Sequence, residues 1–327
     1  MLSISARART EKPFIPVYLD SLRIDTVLGF DLYLNVERHM VLYRSADLPF
    51  TDRTRQKLMD NKVERLYVSS QNRDAYQHYM ENNLAVVLKD PEVPDEKKAG
   101  ILYETSTNLV KDVLANPTYG ENVRRTQDLI SNTVDYILRG RDAFHNLLKI
   151  TSFDYYTYTH SVNVCTFAVA LARQAGFDNE QSLNELGVGA LLHDVGKSRV
   201  SDRIINKHSG LNPIEFEIMK KHPKLGVDML RETDRLAARS YYPVLQHHER
   251  GNGQGYPNGL TLEEMHIFSR MVAIADTFDA MTTKRVYQKA VESFPALKIM
   301  FSMRGAYDEA LMQAFVELMG PTGLADV

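Results

Sequence analysis

Five histidines and two aspartates fall where an imidazole or a carboxylate is costly to bury without a partner: His160, His193, Asp194, His222, His247, His248 and Asp276. His160 opens the run HSVNV, His193 and Asp194 are adjacent in LLHDVGK, His222 precedes Pro223 in MKKHPKLG, and Asp276 lies in AIADTFDAM. His247 and His248 lead into QHHERGNGQGYPNGL, a glycine-rich loop with Tyr256 in its middle. A lone histidine in a helix is usually a surface group or a satisfied core group, and a lone His-Asp pair is common by chance. Seven such residues at helix ends or on apolar helix faces together ask for a shared partner, because each buried polar group needs one. A metal supplies it. Imidazole and carboxylate without thiolate suit iron or manganese, with zinc or nickel open. Seven donors are too many for one ion that also binds water, so the set fits two. A carboxylate can bridge ions about 3.5–4 Å apart, the arrangement used in phosphoryl transfer. His266, in a polar pre-helical stretch with no partner in sight, is left out of the set.

The elements that must hold these residues are almost wholly helical. From Ile101 on, ETSTNLVKDVLANP, VRRTQDLISNTVDYIL, HSVNVCTFAVALARQAG and NELGVGALLHDVGK carry apolar residues at the three-to-four spacing of a buried face. So do PIEFEIMKKHPKLGVDML, SRMVAIADTFDAM, ALKIMFSM and YDEALMQAFVELMG, which predicts a helical domain over 101–327. Residues 1–90 read as a small α+β module. DLYLNV, HMVLYRS and ERLYVSS are its strands, LPFTDRTRQKLMDNKV is a helix capped by Thr51, and RDAYQHYMENNLAVVLK is a second helix. Residues 91–100, with two prolines and dense charge, read as a linker. The predicted fold class is mainly α, a C-terminal helical bundle with a small N-terminal α+β domain.

A length of 327 residues fits about two domains. Hydrophobic content of 44%, charged content of 25% and a net charge of −3 give an ordinary globular chain. No basic field points to bulk nucleic acid or to an anionic membrane. Any anionic substrate must therefore be held by local positive charge or by metals. The one cysteine, Cys165, excludes an intrachain disulfide and a Cys-rich zinc site, and its apolar helical run makes it core. No run approaches the roughly 18 apolar residues of a membrane helix, and no apolar core follows the arginines near the N-terminus. No signal peptide is read, and a cytoplasmic location is expected.

HDVGK, HP, HHERGNGQGYPNGL and ADTFDAM, in this order, resemble the HD-GYP family, a branch of the HD superfamily of metal-dependent phosphohydrolases. The resemblance covers roughly residues 140–327. Members of that family are cyclic di-GMP phosphodiesterases with a helical fold and a di- or tri-metal centre. The resemblance implies that His160, His193, Asp194, His222, His247, His248 and Asp276 ligate metal, with Asp194 as the bridge. It implies that Lys197 contacts the scissile phosphate, so that Asp194 and Lys197 are the catalytic pair. Arg285 would bind phosphate, and Tyr256 would grip the ligand or line the site wall. Asp154 and Asp279 would contact a guanine or a nearby ligand group.

The departures from the family pattern bear on the number of ions. Members with three metals carry a glutamate four residues before the first histidine; here Tyr156 stands there and cannot replace a carboxylate at neutral pH. Two divalent ions, iron or manganese, are expected. Asn252 replaces the usual aspartate, KHSG replaces KPG and Gln288 replaces a basic residue, changes that weaken substrate grip without removing the metal centre. The implied reaction is hydrolysis of cyclic di-GMP to pGpG, and by a second cut to GMP, through attack of a metal-bridging hydroxide. Lys197 and the metals would neutralise the growing phosphoryl charge. Two alternatives stay open: hydrolysis of another cyclic dinucleotide or a mononucleotide, and an adaptor that binds cyclic di-GMP and relays it to a protein partner. The N-terminal module is assigned to regulation or dimerisation. A homodimer, and a protein partner docking through the signature loop or that module, belong to the same expectation.

Overall fold

The computed structural model describes residues 13–151, 157–207, 209–284 and 290–325. Asp154, Tyr156, Arg285 and Gln288 lie outside them. The chain divides into two compact units, Met1–Val93 and Pro94–Val327.

In the first unit, strands β1 (Phe14–Tyr18), β2 (Thr26–Val27), β3 (Leu32–Val36), β4 (His39–Arg44) and β5 (Pro49–Phe50) precede helix α1 (Asp52–Asp60). Strand β6 (Arg65–Ser69) and helix α2 (Arg73–Lys89) follow. The main sheet has the order β1-β6-β3-β4 with antiparallel pairing, and β2 pairs with β5 separately. Thr51 caps α1 by accepting from the Thr54 amide. Glu37 and Arg38 make the two-residue turn between β3 and β4 with positive φ, the backbone that matches the twist of a tight hairpin. Strand β1 lies outside the sequence expectation because Pro16 interrupts FIPVY, and a proline demotes a short apolar run as a strand signal. Val17, Leu32, Leu66 and Val68 point from this sheet into the unit's core.

The second unit is helical throughout. Helix α3 (Asp95–Ala115) starts inside the stretch read as a linker. Its first turn carries Asp95 and Glu96, whose charge complements the helix N-terminus, so a dense charge mix after Pro94 marks a helix start here. Helices α4 (Gly120–Ile137), α5 (Arg141–Ile150), α6 (Thr157–Gln174), α7 (Glu180–Leu191) and the short α8 (Asp202–Ile205) come next. Then follow α9 (Pro213–Met219), α10 (His222–Arg231), α11 (Tyr241–Gln246), α12 (Ile267–Thr282), α13 (Ser293–Ser302) and α14 (Glu309–Ala325).

Helix α6 is the axis of the bundle, buried on every side from Thr159 to Ala172, as its nearly continuous apolar sequence requires. Phe167 on α6, Phe278 on α12 and Phe315 on α14 lock these helices together, with ring centroids 5.1 to 6.2 Å apart in edge-to-face contact. Cys165 is buried as expected, and burial pushes its thiol up to about 12.

The segment PIEFEIMKKHPKLGVDML forms two helices rather than one amphipathic helix. Pro223 has no amide hydrogen to give the carbonyl four residues back, and the helix breaks at Lys220 and Lys221. Helix α9 buries none of its residues, while α10 buries His222, Val227, Met229 and Leu230. Among the described residues no helix is long and apolar enough to cross a membrane.

Candidate metal centre

Helix ends supply six of the seven residues, and the interior of α12 supplies the seventh. His160 lies in the first turn of α6, His193 and Asp194 follow the end of α7, and His222 is the first residue of α10. His247 and His248 follow α11, and Asp276 comes from the interior of α12. Gly196 allows the turn after Asp194 to sit against α10. A Cβ there would stand 2.0 Å from the His222 carbonyl oxygen and 2.5 Å from the Gly226 nitrogen.

The same helix ends fix the imidazoles. The last carbonyls of a helix lack intrahelical partners. His193 Nδ1 donates to the Ala190 carbonyl (2.6 Å) and His222 Nδ1 to that of Met219 (2.7 Å). His247 Nδ1 donates to the carbonyls of Pro243 (3.0 Å) and Val244 (3.2 Å). The Met219 carbonyl is the one a proline at position 223 cannot bond, so the helix break also orients the His222 ring. Because a carbonyl only accepts, these three rings carry the neutral-state proton on Nδ1 and present the lone pair of Nε2.

Those lone pairs converge. His222 Nε2 stands 3.1 Å from His247 Nε2, and His160 Nε2 stands 3.3 Å from His193 Nε2. His160 Nε2 is 3.1 Å from Asp276 Oδ1, and His248 Nδ1 is 3.5 Å from Asp276 Oδ2. Asp194 lies between the two sets. Its Oδ2 is 3.5 Å from His193 Nε2 and 3.6 Å from His160 Nε2, while its Oδ1 is 3.3 Å from His222 Nε2 and 3.7 Å from His247 Nε2. Oδ1 is buried and accepts no hydrogen bond among the described residues.

Burial, reinforced by neighbouring imidazoles, drives the His247 and His248 rings well below the ordinary histidine range and keeps them neutral. Burial alone would raise the Asp194 carboxyl, but the Lys197 ammonium and the His193 ring outweigh it and hold it well below the usual carboxylate range. Asp276 is also held low against burial, by the rings of His160 and His248. The centre thus offers neutral rings at His247 and His248 and ionised carboxylates at Asp194 and Asp276.

Metal fits this donor set. Two donor atoms about 2.1 Å from one ion and at right angles stand about 3 Å apart, close to the separations found here. The residues form two groups able to hold an ion, Asp194 with His222, His247 and His248, and His160 with His193 and Asp276. All seven predicted ligands are in them.

Lys197, on the short 3-10 turn Val195–Arg199, pairs its ammonium with Asp194 Oδ2. Tyr256 is half-buried and packs its ring 4.7 Å from that of His248, tilted by 31°. Asp279, expected to contact a guanine or a nearby ligand group, faces the Nδ1 side of His160. It is 1% exposed, and its Oδ2 accepts from His160 Nδ1 at 2.6 Å. Its Oδ1 accepts from Asn163 (2.7 Å) and Thr283 (3.2 Å). This is the carboxylate–histidine arrangement that orients a metal-ligating ring and raises its basicity. His266 has partners after all: it caps α12 by accepting from the Phe268 amide and stacks on Tyr242 at 4.3 Å.

Sequence reasoning missed Glu249 and Asn163. Glu249, fully buried, accepts from the Asn258 amide at 2.7 Å and the Leu260 amide at 3.0 Å, tying the far side of the signature loop to the residue after His248. Gly255 lets that loop close: a Cβ there would lie 2.3 Å from the Arg250 nitrogen. The available signal was a carboxylate next to two ligands and followed by a run of backbone amides.

Residues 142–311 match the family model for the HD domain. The chain belongs to the HD domain family. It is 37% identical over 226 residues to the cyclic di-GMP phosphodiesterase PA4108 of Pseudomonas aeruginosa, covering 68% of this chain and 54% of that protein. It is 32% identical over 216 residues to a cyclic di-GMP phosphodiesterase of Thermotoga maritima, covering 62% of this chain and 56% of that one. The chain thus spans just over half the length of these curated relatives. Bd1817, an HDG"Y"P protein from Bdellovibrio bacteriovorus, shares the fold with a TM-score of 0.67 at 23% identity, over 94% of this chain and 99% of that one.

Proposed function

We propose that the chain is a two-metal phosphodiesterase that opens cyclic di-GMP to linear pGpG. The observation that carries this reading is Asp194, whose two carboxylate oxygens each face a different group of imidazoles. The relatives' activity supports the substrate assignment. Two divalent ions, iron or manganese, would be held by His160, His193 and Asp276 on one side and by His222, His247 and His248 on the other, with Asp194 shared. When bound, such ions polarise phosphoryl oxygens and lower the pKa of water.

The chain's own residues prepare that chemistry. Carbonyls at three helix ends hold the imidazole tautomers, and Asp279 holds His160, so the donors need no rearrangement before phosphate arrives. Lys197 places a positive charge beside the bridging carboxylate, where it stabilises the negative charge that develops on the phosphoryl oxygens. Glu249 holds the signature loop over His248, and Tyr256 covers that ring from water.

Protein purified anaerobically and loaded with iron or manganese should convert cyclic di-GMP to pGpG, resolved by chromatography, and a chelator should abolish the conversion. Intact cyclic di-GMP after prolonged incubation with metal-loaded protein would overturn the reading, and binding without turnover would identify an adaptor instead.

A further inference from the structure

Helix α9 buries none of its residues, yet its place is well fixed. Asn212 and Glu215 form a reciprocal capping box at its start, and Lys207 pairs with Glu215 at 2.5 Å. This short helix leads directly to His222, and it carries Phe216 toward the signature loop. Phe216 is 45% exposed, and its ring centroid lies 6.2 Å from that of Tyr256 with the planes at 79°. Tyr256 in turn lies against His248. Lys220 Nζ stands 5.4 Å from the Phe216 ring centroid and 2.5 Å from Glu217 Oε1. A phenylalanine held open beside a charged centre is not a core residue, and a docked apolar segment would gain little from the ammonium of Lys220. A flat π-surface, a cation beside it and phosphate-binding chemistry a few residues away together describe the needs of a nucleotide.

We infer that Phe216 is a substrate-binding residue whose exposed ring, with Tyr256 set at a right angle to it, takes one purine of the cyclic dinucleotide by stacking. The inference rests on the proposed activity and deepens it. The path from His248 through Tyr256 to Phe216 follows the order phosphate, sugar, base that a nucleotide presents. Base-aromatic stacking tolerates any base, so Phe216 supplies grip on purines without selecting guanine.

The test compares Phe216→Ala, Phe216→Leu and Phe216→Tyr with the wild-type chain, all metal-loaded, by steady-state hydrolysis of cyclic di-GMP, metal content and inhibition by inorganic phosphate. The Ala and Leu variants should raise KM by about 5- to 100-fold while leaving kcat, metal content and the phosphate inhibition constant near wild type. The Tyr variant should restore KM. An unchanged KM in Phe216→Ala would overturn the inference, and so would a rise matched by lost metal or weakened phosphate inhibition, which would make the ring a mere prop for Tyr256 or His222. If the wild-type chain shows no turnover, the activity reading fails and calorimetric titration with cyclic di-GMP judges Phe216 alone. There, weaker binding by Ala and Leu with recovery by Tyr supports stacking, while equal affinities, or no binding by any form, overturn it.

Discussion

Asp194→Asn should lower turnover of cyclic di-GMP, the proposed substrate, by at least about 10³-fold and strip metal from the protein, with the helical content unchanged. The amide is nearly the same size, so packing is kept. Its nitrogen, however, brings hydrogens to a place where two groups of lone pairs already face inward, and the negative charge that two ions would share is gone. The fold should tolerate the change, because the amide keeps the volume and its carbonyl oxygen still accepts from Lys197. Turnover, metal content and far-UV circular dichroism on one preparation check it. Near-wild-type turnover with full metal content would contradict the bridging role.

Lys197→Met should cost about 10²- to 10³-fold in kcat, the scale set by removing one preorganised donor from developing charge. Methionine keeps much of the apolar stem and loses the ammonium alone. Lys197 is not a ligand, so metal content should stay at wild type and KM should move far less than kcat. The split between kcat and metal content separates this variant from Asp194→Asn. Unchanged kcat, or loss of metal together with activity, would show that Lys197 serves the centre only through its ion pair with Asp194.

The sequence made the histidine and aspartate cluster legible because burial makes each member improbable alone and joint occurrence compounds that improbability. The helices were legible from spacing, and α6 most of all, since its apolar residues run almost without a break from Val162 to Ala172. Three features were not legible, each for a physical reason. Asp279 lies three residues after Asp276, on nearly the same helix face, and spacing alone cannot tell a carboxylate aimed at a ligand from one aimed at a histidine's far nitrogen. Glu249 reads as one more polar loop residue, because its partners are backbone amides that leave no mark in side-chain chemistry. Phe216 sits in a pattern that reads as a buried face, and only the helix break before Pro223 turns it outward.

The number of ions per chain tests the shared role of Asp194 most directly. Elemental analysis of the anaerobically purified, fully active wild-type chain should find two divalent ions per chain, with kcat rising in step with occupancy up to that number. Full activity with a single ion, or three well-occupied ions, would contradict it.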